Sequence, residues 1–295
     1  MAKRLIVRHV TRYSYAKPVT LGPHRLMIRP RDSHDLRLID ATLTLSPPGE
    51  ARWLHDVFGN SVALVEFHEP ADHLEIESTL ELDRYPYVPP RLDIDPDAAT
   101  YPFIYSPEDR RDLGPLRENH YADRKGELEA WVEGFVMAKG TDTLALLADI
   151  NQGIRDGFTY ASRDEEGTQT PQETLLAGSG TCRDFALLFI EAVRHLGFGA
   201  RFVSGYLYDP ALDASADGEA VQGAGATHAW AEVYVPGAGW VEYDPTNGLI
   251  GSEALIRVAV TRDPFQAVPV SGSFTGDTGD YLGMTVEVSV TAVTA

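Results

Sequence analysis

Apolar and polar residues alternate along much of the first third of the chain. The alternation is clearest over residues 38–45 and 74–82, where its period is close to two. This period is typical of antiparallel strands that bury one face and leave the other in water. Turn-forming residues separate the segments, with Pro-Pro-Gly at 47–49 and Gly-Asn at 59–60. We therefore predict that residues 1–84 form a β-sandwich-like module.

A proline-rich segment separates this module from the rest of the chain. Six prolines lie between residues 85 and 107, and this density excludes a helix or a central strand. We predict that residues 85–107 are a linker and that residues 108–295 form a second domain. Helical periodicity follows over residues 127–139 and 143–158. Period-two alternation returns over residues 284–293, which predicts C-terminal strands within the second domain.

A third helix is predicted to begin at Cys182. Apolar residues recur at helical spacing from Phe185 to Leu196, and Gly197 supplies a stop signal. Residues 209–225 are rich in Asp, Ala and Gly, and we predict a surface loop there that is a candidate lid. Strand-like segments lie over residues 200–208, 227–235 and 240–244.

The start of the third helix has the features of a nucleophile site. Thr181 suits the N-cap position, and Asp184 three residues later completes a capping box. This register places Cys182 in the first turn, where free backbone N–H groups and the helix dipole favour a thiolate. The same N–H groups could hold an oxyanion. The alternative is that Cys182 is a small buried hydrophobe, as most lone cysteines are; Asp184 is expected to cap the helix.

His228 is the candidate base for this thiol. A thiolate nucleophile needs a proton shuttle, because the leaving group must be protonated when the intermediate collapses. His228 lies in a predicted strand, on the same face as Trp230, and a strand gives the ring a fixed direction. The alternative is a histidine that only packs beside Trp230.

Asp244 is the candidate partner of that histidine. A Pro-Gly-Ala-Gly turn sequence joins the two strands into a predicted hairpin. If Val235 pairs with Gly239 around a three-residue loop, His228 and Asp244 share a face as diagonal neighbours about 7 Å apart. A symmetric two- or four-residue loop would place them on opposite faces. The alternative for Asp244 is a turn residue that starts the following Asp-Pro turn.

Composition and charge narrow the possible partners. The chain has 295 residues, of which 43% are hydrophobic, and this is enough for two folded domains. Its 44 acidic residues against 25 basic ones give a formal charge of -19, so nucleic acid and anionic membranes are poor partners. One cysteine cannot form an internal disulfide, and residues 1–9 lack the apolar run of a signal peptide. We predict a cytoplasmic protein.

Four separated sequence blocks stand in a fixed order in the second domain. They are Gly-Thr-Cys-Arg-Asp-Phe-Ala at 180–186, Leu-Gly-Phe-Gly-Ala-Arg-Phe-Val-Ser-Gly-Tyr at 196–206, His-Ala-Trp at 228–230 and Gly-Trp-Val-Glu-Tyr-Asp-Pro-Thr-Asn at 239–247. Together they resemble the transglutaminase-like family, whose core is a relative of the papain-type fold. The resemblance covers residues 143–251 and preserves the order Cys182, His228, Asp244. The N-terminal module resembles, more loosely, the β-rich region that precedes this core in bacterial members.

The resemblance implies an α+β fold. In this fold the N-terminal β-sandwich-like module precedes a papain-like transglutaminase core, and the helix that bears Cys182 packs on an antiparallel sheet. It also implies catalytic roles for Cys182, His228 and Asp244. The calcium dependence of animal transglutaminases is not expected, because the aspartates between 209 and 217 are too sparse for a cation loop. We expect no metal and no cofactor.

The family resemblance implies attack on a carboxamide or peptide carbonyl to give a thioester acyl-enzyme. Our first hypothesis is hydrolysis of an amide in a peptide or protein, by a cysteine peptidase or amidase. One alternative is a protein-glutamine gamma-glutamyltransferase, which passes the acyl group to an amine; another is a catalytically silent peptide-binding module. We expect Trp230 near the substrate and either Tyr160 or Trp230 as an extra oxyanion donor, although buried packing would explain both aromatics. The sequence leaves the oligomeric state and the role of the N-terminal module open.

Overall fold

A computed structural model describes residues 2–85, 94–137, 140–162, 167–210 and 226–293. The helices are α1 (Pro107–Leu113), α2 (Glu127–Glu133), α3 (Thr143–Gly157), α4 (Pro171–Ala177) and α5 (Cys182–His195). The strands are β1 (Lys3–Leu21), β2 (His24–Arg29), β3 (Leu36–Ser46), β4 (Gly49–His55), β5 (Ser61–Phe67), β6 (Ala71–Arg84), β7 (Thr100–Tyr101), β8 (Thr141–Asp142), β9 (Thr159–Tyr160), β10 (Ser179–Gly180), β11 (Gly199–Leu207), β12 (Thr227–Val235), β13 (Gly239–Asp244), β14 (Leu249–Ile250), β15 (Leu255–Thr261), β16 (Val270–Ser271), β17 (Phe274–Thr275) and β18 (Tyr281–Ala292).

The N-terminal strands form the predicted β-sandwich-like module. One sheet has the order β17-β1-β6-β3, with β18 also paired to β1, and the other has the order β16-β2-β5-β4. Apolar side chains from both sheets meet in one core, which includes Leu26, Val65 and Leu74. The alternating segments 38–45 and 74–82 lie inside β3 and β6, so the period-two pattern identified two of its strands correctly.

The C-terminal strands complete this sandwich. We assigned them to the 108–295 domain, but β18 pairs antiparallel with β1 from Leu5↔Ala292 to Tyr15↔Tyr281, and β16 pairs with β2. Without β18, the long strand β1 would leave a row of unpaired backbone groups along one side, which proteins avoid by covering the edge. Alternation along one strand predicts the strand but carries no information about which sheet it joins.

A separate five-stranded sheet forms the centre of the papain-like core. Its five strands run in the order β14-β13-β12-β11-β15, and α5 packs on β11 and β12. The apolar face predicted for this helix is buried, with Phe185, Leu188 and Phe189 in one cluster with Ala231 and Val233 of β12. The α+β fold expected from the sequence is confirmed.

Two helices and two loops test the local predictions further. Helix α3 covers Thr143–Gly157, in agreement with the prediction over 143–158. Helix α2 covers only Glu127–Glu133 and ends at Gly134, because glycine has a low helix propensity, so the predicted helix over 127–139 was too long. Most of the predicted lid and part of the predicted linker, residues 211–225 and 86–93, lie outside the described residues.

The sandwich packs on the open side of the core sheet. Leu5 and Val7 of β1 share a buried cluster with Tyr206 of β11 and Ile256 of β15, so the apolar row of β1 joins the two parts of the molecule. In the described ranges, none of the helices has the length and apolar content needed to span a bilayer. The proposed domain limits at residues 84 and 108 stay a prediction.

Candidate active site

The local sequence before α5 fixes the position of Cys182. Cys182 is the first residue of the helix and Thr181 is its N-cap. The Asp184 carboxylate accepts hydrogen bonds from the Thr181 backbone N–H at 2.8 Å and from Thr181 Oγ1 at 2.9 Å, and a third from the Gln169 N–H at 2.6 Å. These contacts confirm Asp184 as a capping residue that ties the preceding loop to the helix.

A close approach at Gly180 keeps this turn tight. A Cβ at this position would lie 2.9 Å from Asp184 Cβ and 3.2 Å from the ring of Phe185. Any side chain here would therefore push the N-cap away from the helix. Glycine is required directly before the N-cap because of this packing.

Cys182 opens into a large cleft. Its side of the helix faces a cavity of about 810 Å³, which it lines together with Thr181 and Arg183. The residue is 8% exposed, whereas Phe185 and Leu188 on the same helix are essentially buried. Cys182 belongs to the buried cluster around α5 and also lines the cleft, so it lies at the boundary between the core and the cleft. Its place in the cleft lining favours the nucleophile interpretation over that of a purely structural residue.

His228 and Asp244 meet as the register predicted. Val235 pairs with Gly239 across a three-residue turn, and His228 Nε2 lies 2.8 Å from Asp244 Oδ2. Both side chains are buried. The odd loop length places the two side chains on one face, and the diagonal spacing lets them bond.

Asp244 is held by the residues that follow it. The Thr246 backbone N–H donates to Asp244 Oδ1 at 2.9 Å, and Asn247 Nδ2 donates to Oδ2 at 2.8 Å. Burial raises the pKa of Asp244, but the His228 charge and the hydrogen bonds from His228, Asn247 and Thr246 lower it below its ordinary value. The sequence pattern did not single out Thr246 and Asn247 as partners of Asp244. The signal for them was a pair of polar residues directly after Asp-Pro.

The imidazole of His228 lies between the carboxylate and the thiol. Burial lowers the pKa of His228, and the charge and hydrogen bond of Asp244, followed by the Cys182 thiol, raise it above its ordinary value. Because Nε2 is bonded to Asp244, Nδ1 is the nitrogen left for the thiol, and among the described residues it has no hydrogen-bond partner. A neutral ring with its proton on Nε2 could therefore accept the thiol proton at Nδ1.

Trp230 lies beneath the histidine and not in the cleft. Its indole is 0% exposed, packs with Val203 and Leu255, and stacks on the His228 ring with centroids 6.0 Å apart at 28°. The expected contact with substrate and the expected oxyanion role are therefore not available to Trp230, because side chains from other strands bury it. It supports the ring of His228 instead.

Tyr160 is a neighbour of Cys182. Strand β9 pairs with β10 so that Tyr160 is opposite Gly180, two residues before Cys182. Burial and then the neighbouring Cys182 raise the pKa of Tyr160 to about 12, so the phenol keeps its proton and remains a hydrogen-bond donor at neutral pH. The ring also lines a second, smaller cavity of about 250 Å³ together with Arg155 and Asn247.

One group of side chains could bring metal-ligand atoms together. Glu129, Glu133 and His195 place one donor atom each within 4.8 Å of one another, and both glutamates are exposed. His195 is the last residue of α5 and Cys182 is the first, so about 20 Å of helix separates the cluster from the thiol. Exposed acidic groups often cluster without an ion, and we assign no function to this one.

Comparisons with known sequences cover most of the chain. A family model described as bacterial transglutaminase-like N-terminal region matches residues 5–83, and one described as transglutaminase-like superfamily matches residues 129–245. A protein of Mycobacterium tuberculosis, itself uncharacterised, is 31% identical over 300 aligned positions, covering 97% of this chain and 92% of the relative. An uncharacterised protein of Mycobacterium leprae is 26% identical over 288 positions, covering 97% and 98% of the two chains.

A solved structure has the same arrangement of both parts. A protein from Cytophaga hutchinsonii, described as a candidate cysteine protease, superposes with a TM-score of 0.70 at 19% identity, covering 100% of this chain and 92% of the other. At this identity the likeness concerns the fold. Sandwich and core are thus found together, in one chain, in a distant sequence.

Proposed function

The chain belongs to the transglutaminase-like superfamily of cysteine-dependent enzymes, and from this premise we propose that it hydrolyses an amide or peptide bond through a thioester on Cys182. The observation that carries the proposal is the 2.8 Å bond between His228 Nε2 and Asp244 Oδ2. This bond orients the ring and leaves Nδ1 available to the thiol at the helix start. Cys182 is the nucleophile, His228 the base and acid, and Asp244 the group that orients the ring and stabilises its charge.

The first half of the reaction forms the thioester. The sulfur of Cys182 attacks the amide carbonyl carbon while its proton is held by His228, and the carbonyl oxygen becomes an oxyanion. Backbone N–H groups at the start of α5 and the Tyr160 hydroxyl are the donors we assign to that oxyanion. His228 then donates its proton to the nitrogen, the C–N bond breaks, and ammonia or an amine leaves.

The second half returns the enzyme to its starting state. Water enters the cleft and attacks the thioester carbonyl while His228 takes one of its protons. The C–S bond breaks, the sulfur recovers the proton from His228, and the new carboxylic acid leaves. One water is consumed for each amide cleaved.

The charge around the second cavity favours water over an amine as acceptor. Arg155 lines this cavity beside Tyr160, and it forms no ion pair within the described ranges. A lysine ammonium entering from this side would meet the Arg155 guanidinium, and the repulsion between like charges opposes binding. Because of this repulsion, we rank the glutamyltransferase reaction below hydrolysis.

The test begins with the thiol itself. We expect iodoacetamide to alkylate Cys182 at pH 6 at least about tenfold faster in the wild type than in His228→Ala, because a neighbouring imidazolium stabilises the thiolate. His34→Ala, which removes an exposed histidine, should alkylate like the wild type. Equal rates in wild type and His228→Ala would remove the enzymatic interpretation.

Turnover then separates the candidate reactions. Wild type and Cys182→Ala are incubated with a library of peptide amides, with and without an added primary amine, and products are identified by mass spectrometry. Hydrolysis predicts new carboxylates in the wild type only. Amine adducts in preference to carboxylates would favour the glutamyltransferase, and an alkylation-competent protein without either product would favour the silent peptide-binding module.

A further inference from the structure

The cleft above Cys182 has a second wall that does not come from the papain-like core. This wall consists of the middle of β1 (residues 9–15), the segment 264–274 and the start of β18, and all three belong to the β-sandwich or lead into it. The core supplies the floor with Thr181, Cys182 and Arg183. The cleft is therefore a feature of the whole chain and would be open on one side in the core alone.

One face of β1 both packs against the core sheet and lines the cleft. Alternate residues of a strand face the same side, and in β1 this row begins with Leu5 and Val7, which pack against the core sheet. Farther along, the row continues with Thr11, Tyr13 and Tyr15, which line the cleft. The apolar part of the row docks the sandwich, and the more polar part lines the space that docking creates.

Large apolar side chains remain exposed on this wall. Phe265 is 68% exposed, Tyr281 43%, Met284 47% and Val286 42%, and all four line the cleft. Phe274 stacks on Tyr281 with ring centroids 6.3 Å apart, so aromatic rings form a continuous platform. A cluster of exposed apolar groups at the edge of a cleft marks a binding surface more often than a single exposed residue does.

The wall carries little net charge although the protein is strongly acidic. The chain has a formal charge of -19, but the described cleft lining contains one cation and one carboxylate, Arg183 and Asp263. Asp263 Oδ2 already accepts a hydrogen bond from the Tyr121 hydroxyl at 2.9 Å. Burial lowers the pKa of His9 to about 4 and also lowers the pKa of His24, so both histidines on this wall are neutral at pH 7.

We infer that this aromatic wall, defined as Phe265, Phe274, Tyr281, Met284 and Val286, selects the substrate. It binds an aromatic or large aliphatic side chain next to the amide that Cys182 attacks, in an extended peptide segment. The inference rests on the proposed function, because the cleft is a substrate cleft only if Cys182 reacts there. It gives the N-terminal module a role, which is to supply specificity to the core.

Binding can be tested without turnover. Fluorescence anisotropy on the Cys182→Ala protein compares two labelled pentapeptides, Ala-Phe-Gln-Gly-Ala and Ala-Gly-Gln-Gly-Ala. We expect the phenylalanine peptide to bind about tenfold more tightly, which is about 1.4 kcal/mol, because its aromatic side chain leaves water for an apolar surface. Tyr281→Ala added to this protein should remove most of the difference, and Tyr281→Phe should retain it.

A matched control identifies the surface. Trp53 on β4 is also 43% exposed and is not part of the cleft lining, so Trp53→Ala should leave the tenfold preference unchanged. Equal affinity for the two peptides, or a preference that survives both Tyr281→Ala and Phe274→Ala in folded proteins, would overturn the inference. Displacement of the phenylalanine peptide by a chitin tetrasaccharide would overturn it too, because it would identify the wall as a sugar platform. Failure of the alkylation test with this preference intact would instead count against the proposed reaction.

Discussion

Two neighbours from different secondary-structure elements raise the pKa of His228. Asp244 lies on the adjacent strand and Cys182 on the helix, and both act on a ring that is out of contact with water. Burial alone would keep the ring neutral, and the carboxylate reverses that effect. The charge of His228 is therefore linked to folding.

This linkage gives the first prediction. Burial lowers the pKa of His228, but Asp244 and Cys182 raise it, from an ordinary 6.5 to about 10 in the folded protein. A pKa that is higher in the folded state contributes stability that is complete below the unfolded pKa and is lost as pH rises through the folded pKa. The difference in free energy of unfolding between wild type and His228→Gln should therefore shrink as pH rises from about 6.5 to about 10.

Urea denaturation at several pH values measures this difference. His34→Gln is the control, because His34 is exposed and its removal should give no such pH dependence. At acid pH we expect a second effect, of opposite sign, on the free energy of unfolding. The pKa of Asp244 is lowered from an ordinary 3.8, so the stability that Asp244 contributes is present above that value and is lost as pH falls through the folded pKa. A difference that stays constant across the alkaline range would contradict the ion pair.

At the scale of elements, the hairpin β12–β13 decides whether the site exists. Side chains in a strand alternate between faces, so a shift of one residue moves the whole set to the other side. The pairing Val235↔Gly239 is the register in which His228 and Asp244 share a face. Loop length is therefore as important to the site as the identity of the two side chains.

Loop insertions test the register. One glycine inserted after Gly237 should remove alkylation at pH 6 and any amide hydrolysis, because the register slips and His228 loses Asp244. Two inserted glycines should restore much of the activity, since an even insertion allows the original pairing with a longer loop. Circular dichroism checks that both proteins keep their strands. Equal activity in the one-residue and two-residue proteins would show that the hairpin does not set the site.

The limits of the sequence are visible in these same elements. Spacing around the Pro-Gly-Ala-Gly turn was enough to predict the His228–Asp244 contact, because a hairpin is a local structure with a fixed period. Trp230 was expected near the substrate because it shares a face with His228, but alternation does not show that Trp230 is buried in a cluster with Leu255 and Phe58 from distant parts of the chain. The wall of the cleft was not predictable for the same reason, since Tyr13 and Met284 are brought side by side only by the pairing of β1 with β18.

At the scale of the whole molecule, the two ends of the described chain close the sandwich. Strand β18 covers β1 along eleven paired positions from Leu5 to Tyr15, and the Val293 N–H donates to the Arg4 carbonyl at 2.9 Å. The predictions of a cytoplasmic location and of an amide-bearing peptide partner remain predictions at this scale. The pairing itself leads to a test of how the parts depend on one another.

Truncation after Asp280 should destabilise the sandwich and the site together. Loss of β18 leaves one side of β1 unpaired, which favours aggregation, and it removes Met284 and Val286 from the cleft. We expect a lower Tm and a shift to large species in size-exclusion chromatography, compared with a chain that ends at Val293. An unchanged Tm and a monomeric profile would mean that β18 is dispensable to the fold.

The pairing of β1 with β18 also sets an order of events during synthesis. Translation proceeds from the N-terminus, so the helix that bears Cys182 and the strands with His228 and Asp244 leave the ribosome before residues 281–292 do. Until then β1 has no partner on that side, and the cleft lacks Tyr281, Met284 and Val286. If the proposed function holds, a nascent chain would therefore carry Cys182, His228 and Asp244 before its aromatic wall is complete, and full substrate selection would wait for β18.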